Sequence, residues 1–445
     1  MNSLPVCTPD LTKYKTAISQ INSFRLSGRI IRVVGLTIEA VGLNCQIGEI
    51  CKVKTNSSSD LLCEVVGFRE NHILLMPLGD MQGIQLGNPI YPVGKSLKVP
   101  VGTALLGRVL DGLGNPIDGK PKLDLETTAS CSNNPPNPMR RMPIQEPLIT
   151  GVRVIDGLLT CGKGQRMGIF SGSGVGKSTL LGTIARSSHS DVSVIALVGE
   201  RGREVREFLD KDLGEDGLAR SVVVVSTSDQ PALIRLKAAM VAMTIAEHFR
   251  DIGLDVTLLM DSVTRFAMAQ REIGLATGEP PASKGYPPSV YALLPKLLER
   301  AGANEKGTIT GYFTVLVEGD DFNEPICDTA RSILDGHIIL SRELASRNHY
   351  PAIDVLNSVS RVMPKVTSKE HQSYAAKARN HLAVYEKARD LINIGAYVDG
   401  SDPDIDLAIK TNPALTKYLQ QDQYDHTEFE ATLNQLTNVV EIANE

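Results

Sequence analysis

The residues best suited to chemistry form a short glycine-rich segment at 172–179 that reads Gly-Ser-Gly-Val-Gly-Lys-Ser-Thr. It follows an apolar, strand-like run and precedes a helix-like one. In that setting, glycines allow backbone N–H groups to close around phosphate oxygens, and the helix N-terminus adds positive potential. Lys177 would reach the β- and γ-phosphates, and Ser178 would offer its hydroxyl to Mg²⁺. The predicted nucleoside triphosphate site comprises Gly172, Ser173, Gly174, Val175, Gly176, Lys177, Ser178 and Thr179.

This segment departs from the GxxxxGK[ST] pattern at one position, where Ser171 stands in place of the first glycine. That position only opens the turn, so we expect the replacement to have little effect on phosphate binding. The alternative is a glycine-rich turn between strand and helix that binds nothing. A lysine followed by Ser-Thr at the helix start argues against this alternative.

Two acidic residues end apolar, strand-like runs further along the chain: Glu200 follows VSVIALVG, and Asp261 follows VTLLM. Ligands bind at the carboxyl ends of parallel strands, so both residues could lie beside the phosphates. Asp261 is expected to hold the Mg²⁺ shell, and Glu200 to polarise the attacking water as a base or by orientation. Arg201 could meet phosphate charge. The alternatives are a strand-end cap for Asp261 and a surface salt-bridge cluster for the residues around Glu200.

The composition is that of a globular protein of two or three domains, with 445 residues, 42% hydrophobic and 22% charged. A net charge of −5 and few aromatic residues predict no nucleic-acid partner. The sequence contains neither a transmembrane-length apolar run nor a signal-like N-terminus. The seven cysteines are scattered, which indicates a reducing, cytoplasmic setting.

The pattern of the chain changes along its length. From about residue 28 to 101, short β-type runs separated by turn residues predict a small barrel or sandwich. After a Pro- and Asn-rich loop at 130–143, apolar strands alternate with helices, which is typical of a mostly parallel sheet covered on both faces. From about residue 368 the pattern is helical.

The N-terminal segment predicts a separate helix over residues 8–21. Leu11, Tyr14, Ile18 and Ile21 recur at helical spacing and would form an apolar stripe close to two lysines. The sequence is compatible with two interpretations of this stripe. It packs on its own domain, or it contacts a partner or a membrane.

Long motifs resemble one family. They are residues 171–179, GERGRE at 199–204, LLMDSVTRFAMAQREIG at 258–274, GEPPASKGYPPSV at 278–290 and VEGDDFNEPICD at 317–328. Together they resemble the flagellar and type III secretion export ATPases, which are relatives of the catalytic subunits of rotary F- and V-type ATPases. The similarity extends from about residue 24 to 420, and the wording of several motifs is closer to the flagellar branch.

The resemblance implies an α/β fold: a RecA-like P-loop ATPase core with an N-terminal β-barrel and a C-terminal helical domain. The expected divisions are a helical segment at 1–27, the barrel at 28–100, the ATP-binding domain at 101–367 and the helical domain at 368–445. Lys177 and Ser178 would then bind ATP and Mg²⁺, and Glu200 would be the catalytic carboxylate. By resemblance alone, Arg361 would reach a neighbour's nucleotide and Tyr350 would pack on adenine.

The same resemblance implies a homo-hexameric ring at the cytoplasmic face of the membrane. Its implied partners are a dimeric regulator at the N-terminus, a coiled-coil stalk protein, a membrane-embedded export gate, and export substrates with their chaperones.

Four other functions compete with flagellar export. A virulence secretion ATPase would share the same chemistry. A non-catalytic subunit would carry an amide at Glu200, and an RNA translocase would need a basic, aromatic N-terminal module that residues 28–101 lack. A rotary synthase subunit would also share the chemistry, but the central motifs are export-type.

Overall fold

The computed structural model describes residues 26–441 except 56–59, 124, 126, 318 and 320, together with Thr12 and Tyr14. Thr12 and Tyr14 are helical, and Tyr14 is exposed. The other residues of the predicted apolar stripe, Leu11, Ile18 and Ile21, lie outside the described residues. The chain divides into two compact units, Met1–Ser96 and Leu97–Glu445.

The first unit is a closed barrel of six strands in the order β1-β2-β5-β4-β3-β6. The strands are β1 (Gly28–Val34), β2 (Thr37–Val41), β3 (Glu49–Val53), β4 (Leu61–Arg69), β5 (His72–Pro77) and β6 (Pro89–Ser96). Closure leaves no free sheet edge, because β1 pairs with both β2 and β6. The interior is filled by aliphatic side chains and by Cys45, Cys51 and Cys63.

Strand β2 contains a buried charged residue. A charged residue, Glu39, interrupts its apolar run, yet this side chain is buried. Arg69 and His72, on the strands that follow, lie 3.3 and 3.6 Å from its carboxylate oxygens. Buried charge is tolerated where it is paired in this way, which a local sequence pattern does not reveal.

The second unit contains the remaining elements. Its strands are β7 (Lys98–Pro100), β8 (Arg108–Asp111), β9 (Thr128–Ser130), β10 (Pro147–Leu148), β11 (Cys161–Gly162), β12 (Arg166–Ser171), β13 (Val192–Glu200), β14 (Ser221–Thr227), β15 (Asp255–Asp261), β16 (Gly302–Ala303), β17 (Thr308–Leu316), β18 (Gly336–Leu340) and β19 (Ile353–Ser360). Its helices are α1 (Arg153–Leu158), α2 (Lys177–Ser187), α3 (Gly202–Glu207), α4 (Gly214–Ala219), α5 (Ala232–Asp251), α6 (Val263–Thr277), α7 (Pro288–Leu298), α8 (Pro325–Ile333), α9 (Arg342–Ser346), α10 (Met363–Val366), α11 (Lys369–Asn393), α12 (Pro403–Leu419) and α13 (Phe429–Glu441). A π-helical turn, Phe208–Leu213, joins α3 to α4.

The central sheet has nine strands in the order β19-β18-β12-β17-β15-β13-β14-β8, with β16 paired to β17. All neighbours are parallel except β19 and β16. The mostly parallel sheet predicted from the sequence is therefore confirmed. Its strands are buried almost throughout, as expected for a sheet covered by helices on both faces. Because the strands are parallel, β12, β13 and β15 all end at the same edge.

The C-terminal part is helical, as predicted. Helices α11, α12 and α13 pack against one another and against α1. The Ser368 hydroxyl caps the start of α11 by accepting a hydrogen bond from the His371 N–H, and Asp402 caps α12. In the part of the chain that the structure describes, no helix is long and apolar enough to cross a membrane.

Candidate active site

The predicted phosphate loop lies where the sequence placed it, between the end of β12 and the start of α2. Gly174 and Gly176 have positive φ angles of 76° and 86°, which the turn requires and which side-chain-bearing residues rarely adopt. Helix α2 begins at Lys177, so its first backbone N–H groups point into the loop. The loop is therefore built to receive an anion at a helix N-terminus.

The ammonium group of Lys177 lies between the two acidic residues predicted at the strand ends. Its Nζ is 2.6 Å from Asp261 Oδ1 and 3.5 Å from Glu200 Oε1. Asp261 ends β15 and Glu200 ends β13, which is the next strand in the sheet. All three side chains are largely buried: the exposed fraction is 13% for Lys177, 5% for Asp261 and 17% for Glu200. The fold thus brings together three of the predicted residues from separate parts of the sequence.

A fourth group, Thr314, belongs to the same cluster and was not predicted. It lies on β17, the other neighbour of β15, and its hydroxyl donates a hydrogen bond of 2.7 Å to Asp261 Oδ1. Asp261 therefore accepts two hydrogen bonds on one oxygen, from Thr314 and Lys177. A threonine within an apolar strand is also a common β-residue, so the sequence offered no signal for this contact.

The cluster shifts the titration of its own members. Burial and the nearby Asp261 charge raise the pKa of Glu200 to about 7, against the opposing effect of Lys177. Burial alone would lower the pKa of Lys177, but the charges of Asp261 and Glu200 outweigh it, and the pKa is raised. Lys177 is therefore charged at neutral pH, whereas Glu200 is partly protonated and partly ionised at that pH.

A cavity of about 690 Å³ opens in front of this cluster. Its lining includes the whole phosphate loop except Val175, together with Glu200, Arg201, Arg265 and Arg342. Arg201 forms an ion pair with Glu204 at 3.4 Å. Because its side chain is 82% exposed, solvent weakens this ion pair. Arg265 has a buried Nε without a hydrogen-bond partner among the described residues. An unpaired guanidinium N–H suits an anionic ligand.

A second cavity of about 470 Å³ shares Gly174, Gly176 and Thr179 with the first and is lined by Tyr350. The tyrosine is 40% exposed, and a methyl group placed on Gly176 would lie 3.2 Å from its ring. Pro351, Val152 and residues 421–423, which follow α12, complete the walls. Tyr350 was predicted from the sequence, but residues 421–423 were not. They lie more than 200 residues after the phosphate loop, and nothing in their local pattern marks them as part of the site.

Arg361 is not part of this cluster. Ser171, which precedes the loop, pairs with Leu340 at the end of β18. Ser360, which precedes Arg361, pairs with Gly336 at the start of β18. Arg361 is therefore displaced along the sheet by about four residues, or roughly 13 Å. Its side chain is exposed.

The chemistry of the cavity is compatible with Mg²⁺. Asp261 and Glu200 carry two carboxylates against the single ammonium of Lys177, so the cluster retains negative charge when both are ionised. Ser178 is exposed to the same cavity. Carboxylate and hydroxyl oxygens are the hard ligands that Mg²⁺ prefers.

Family models match three consecutive parts of the chain. Residues 30–94 match the ATP synthase alpha/beta family, beta-barrel domain, and residues 151–360 match its nucleotide-binding domain. Residues 367–438 match the T3SS EscN ATPase C-terminal domain. These matches agree with the fold class predicted from the sequence.

Curated relatives cover nearly the whole chain. The chain is 55% identical to the flagellum-specific ATP synthase of Bacillus subtilis over 95% of its length and 97% of the relative's. It is 50% identical to the type 3 secretion system ATPase of Xanthomonas euvesicatoria over 94% and 95%.

Two solved structures are also similar to this chain. The assembled ATPase EscN from the enteropathogenic E. coli type III secretion system superposes with a TM-score of 0.88 and 49% identity, covering 93% of this chain and 100% of that one. EscN in complex with its central stalk EscO gives a TM-score of 0.87 and 48% identity, with the same coverage. At this identity and coverage, the chain belongs to the family of flagellum-specific and type III secretion ATPases, within the ATP synthase alpha/beta proteins.

Proposed function

We propose that this ATPase works as a homo-hexameric ring whose hydrolysis of ATP energises the export of flagellar proteins across the cytoplasmic membrane. The observation that carries the chemical part of the proposal is the Lys177–Asp261–Glu200 cluster at the edge of the sheet. Lys177 and Glu200 line one cavity, and Tyr350 lines a second cavity that shares residues of the phosphate loop with the first. Triphosphate and adenine would occupy the two cavities.

Phosphate binding would redirect the charge of Lys177. Its ammonium is paired with Asp261 and Glu200. Phosphate oxygens entering the loop would compete for the same ammonium, assisted by the backbone N–H groups at the start of α2. Arg201 and Arg265, which line the cavity, would add positive charge against the triphosphate.

Mg²⁺ would be held by Ser178 and Asp261. Held there, it would supply positive charge against the triphosphate as charge develops during hydrolysis. Thr314 would keep the Asp261 carboxylate in a fixed orientation through its hydrogen bond.

Glu200 would orient and deprotonate the attacking water. A general base works best when its pKa lies near the working pH, and burial beside Asp261 gives Glu200 a pKa of about 7. Glu200 lines the first cavity but not the Tyr350 cavity, so it would lie near the γ-phosphate and not near the base.

The ring is proposed because one chain supplies an incomplete site. Arg361 is exposed and displaced by roughly 13 Å along the sheet from the phosphate loop, so it would complete the site of a neighbouring subunit. The assembled state of EscN, at 49% identity, supports the same arrangement. Its complex with the central stalk EscO supports a coiled-coil stalk protein as a partner here.

Flagellar export is favoured over virulence secretion by the 55% identity to the Bacillus subtilis flagellum-specific protein. The second candidate, a virulence secretion ATPase, is supported by the 50% identity to the Xanthomonas euvesicatoria protein. In either case the ring would dock from the cytoplasm at an export gate. A dimeric regulator, export substrates and their chaperones would be further partners.

The test is replacement of the chromosomal copy by the Glu200→Gln form. We expect the variant to accumulate normally but to stop secretion of the flagellar filament protein and abolish swimming, while other secretion continues. Loss of virulence-type secretion with normal motility would favour the second candidate. Unchanged export by both routes would contradict the proposed function.

A further inference from the structure

Three side chains that could bind a metal ion meet on the surface of the second unit, away from the Lys177 cluster. They are His189, which lies between α2 and β13, and His426 and Glu428, which lie between α12 and α13. One potential ligand atom of each lies within 4.8 Å of those of the other two. All three residues are exposed, so an ion could reach them directly from solution.

We propose that His189, His426 and Glu428 form a binding site for a transition-metal ion of the zinc class. Two imidazoles and one carboxylate are a ligand set that zinc uses, and that Mg²⁺ does not favour. Around tetrahedral zinc, with Zn–N bonds of about 2.0–2.1 Å, two ligand atoms lie about 3.3 Å apart. His426 Nε2 and Glu428 Oε1 are already 3.3 Å apart. His189 places a ligand atom within 4.8 Å of the ligand atoms of these two residues, and its ring is exposed.

The backbone around His426 allows the ring to come close. A methyl group placed on Gly151 would lie 3.2 Å from His426 Nδ1 and 2.5 Å from Ser187 Cβ. A side chain at position 151 would therefore collide with Ser187, the last residue of α2, and crowd the imidazole of His426. Gly151 also has φ of +76°, a conformation that glycine adopts without strain.

The bound ion would join two parts of the second unit that are far apart in sequence. His189 belongs to the sheet-and-helix part, whereas His426 and Glu428 belong to the segment 420–428 that precedes α13. This segment is already attached to the nucleotide-binding part through Gln421. Its side-chain amide donates a 2.8 Å hydrogen bond to the Gly151 carbonyl, and its backbone N–H donates one of 2.9 Å to the Tyr350 carbonyl.

Residues 421–423 also form one wall of the Tyr350 cavity. A metal cross-link at His426 would therefore hold this wall in place from its far end. The metal site stands on its own ligand geometry and does not depend on the proposed export function.

The experiment is a titration of the untagged, nucleotide-free, full-length protein with Co²⁺, which replaces zinc and absorbs strongly in visible light when tetrahedral. We expect one strongly absorbing Co²⁺ per chain, with displacement by Zn²⁺. His189→Gln, His426→Gln and Glu428→Gln should each weaken binding at least about tenfold, because each removes one of three protein ligands. Added Zn²⁺ should also slow amide hydrogen exchange across residues 420–428.

His72→Gln is the matched control, because His72 also lies beside a glutamate, at 3.6 Å from Glu39, but has no second histidine nearby in the described residues. This variant should keep full Co²⁺ binding. No tetrahedral spectrum, an unchanged affinity in His426→Gln, or equal weakening by His72→Gln would overturn the proposal. Because Glu428 is 72% exposed, Glu428→Gln gives a decisive answer even if a histidine variant folds poorly.

Discussion

Lys177 Nζ lies 2.6 Å from Asp261 Oδ1, although the two residues are 84 positions apart in the sequence. This ion pair joins helix α2, which follows the phosphate loop, to the end of strand β15. In the sheet, β15 lies two strands away from β12, the strand that precedes the loop. The carboxylates of Asp261 and Glu200 keep this lysine charged and fix the position of its ammonium group. The pair therefore links phosphate binding to the acidic residues that are proposed to act on the metal and on water.

Replacing the two key residues should separate binding from hydrolysis. Lys177→Ala removes a phosphate-binding charge and leaves Asp261 and Glu200 without their counter-ion, so nucleotide affinity and turnover should both fall. Glu200→Gln retains size and polarity but loses the base, so binding should survive while turnover falls by about 10²–10⁴-fold. Fluorescent-nucleotide binding and phosphate release measure the two effects.

A second lysine provides the control for these variants. Lys52 in the barrel also forms an ion pair, at 2.8 Å from Asp60, but far from any predicted phosphate contact in sequence. Lys52→Ala should leave binding and turnover unchanged. Equal loss of nucleotide binding in Lys177→Ala and Glu200→Gln would contradict the assigned roles.

The raised pKa of Glu200 predicts a pH dependence of hydrolysis. Burial and the Asp261 charge raise this pKa from 4.5 to about 7, so the carboxyl gains a proton as the pH falls through about 7. A protonated base cannot accept a proton from water, so kcat/KM should decline on the acid side with an apparent pKa near 7. The residual activity of Glu200→Gln should lack this transition, and an identical profile in that variant would assign the transition to another group.

The same shift predicts how stability depends on pH. Between about pH 4.5 and 7 the folded chain binds the Glu200 proton more tightly than the unfolded chain does. The free energy of unfolding should therefore fall as the pH rises through this window, and Glu200→Gln should remove that part of the dependence. Denaturant titrations of both proteins at several pH values test this, and parallel curves would contradict it.

The position of Arg361 predicts complementation between inactive chains. An arginine supplied by a neighbour contributes about 10³–10⁵ in rate, so Arg361→Ala alone should be nearly inactive. Mixing it with Glu200→Gln should restore part of the activity, because some interfaces then contain both intact groups. Activity per chain should also rise with protein concentration.

Arg206, a surface arginine that pairs with Asp210 on its own helical segment, provides the matched control. Arg206→Ala should retain activity and should not be needed for complementation. If mixing restored nothing and activity per chain did not change on dilution, Arg361 would have no role between subunits.

Tyr350 should contribute a ring face to adenine binding. Stacking of a base on an aromatic side chain is worth about 1–3 kcal/mol, so Tyr350→Ala should weaken ATP binding by roughly 5- to 150-fold. Tyr350→Phe retains the ring and should bind normally. Inorganic triphosphate has no base, so its binding should be the same in all three proteins. A matching loss in Tyr350→Phe would attribute the effect to the hydroxyl instead.

Deleting residues 1–21 should separate regulation from catalysis. The apolar stripe predicted within this segment lies in the sequence more than 150 residues before the phosphate loop. We expect the truncated protein to keep basal ATP hydrolysis but to lose binding of its dimeric regulator, and export in cells. A pull-down with the regulator beside an ATPase assay measures both. Normal regulator binding would indicate that the segment packs on its own barrel.

The sequence by itself determined the class of chemistry. The glycine-lysine-serine loop, Glu200 and Asp261 each lie at the end of an apolar run, and parallel strands place such ends at one edge. The strand-rich segment from about residue 28 to 101 and the helical C-terminal part were also evident, because local periodicity encodes strands and helices. The burial of Glu39 in β2 was not evident, because its partners Arg69 and His72 lie elsewhere in the chain.

Only the tertiary structure decided which side chains meet across long separations. Thr314 reaches Asp261 from a neighbouring strand, residues 421–423 form a wall beside Tyr350, and His189 meets His426. Each of these contacts joins segments by packing of the sheet and helices, which a local pattern does not record. The position of Arg361 was also decided by the tertiary structure. Its sequence context is ordinary, and the pairing of β18 with β19 places it at the end of these strands that is remote from the phosphate loop.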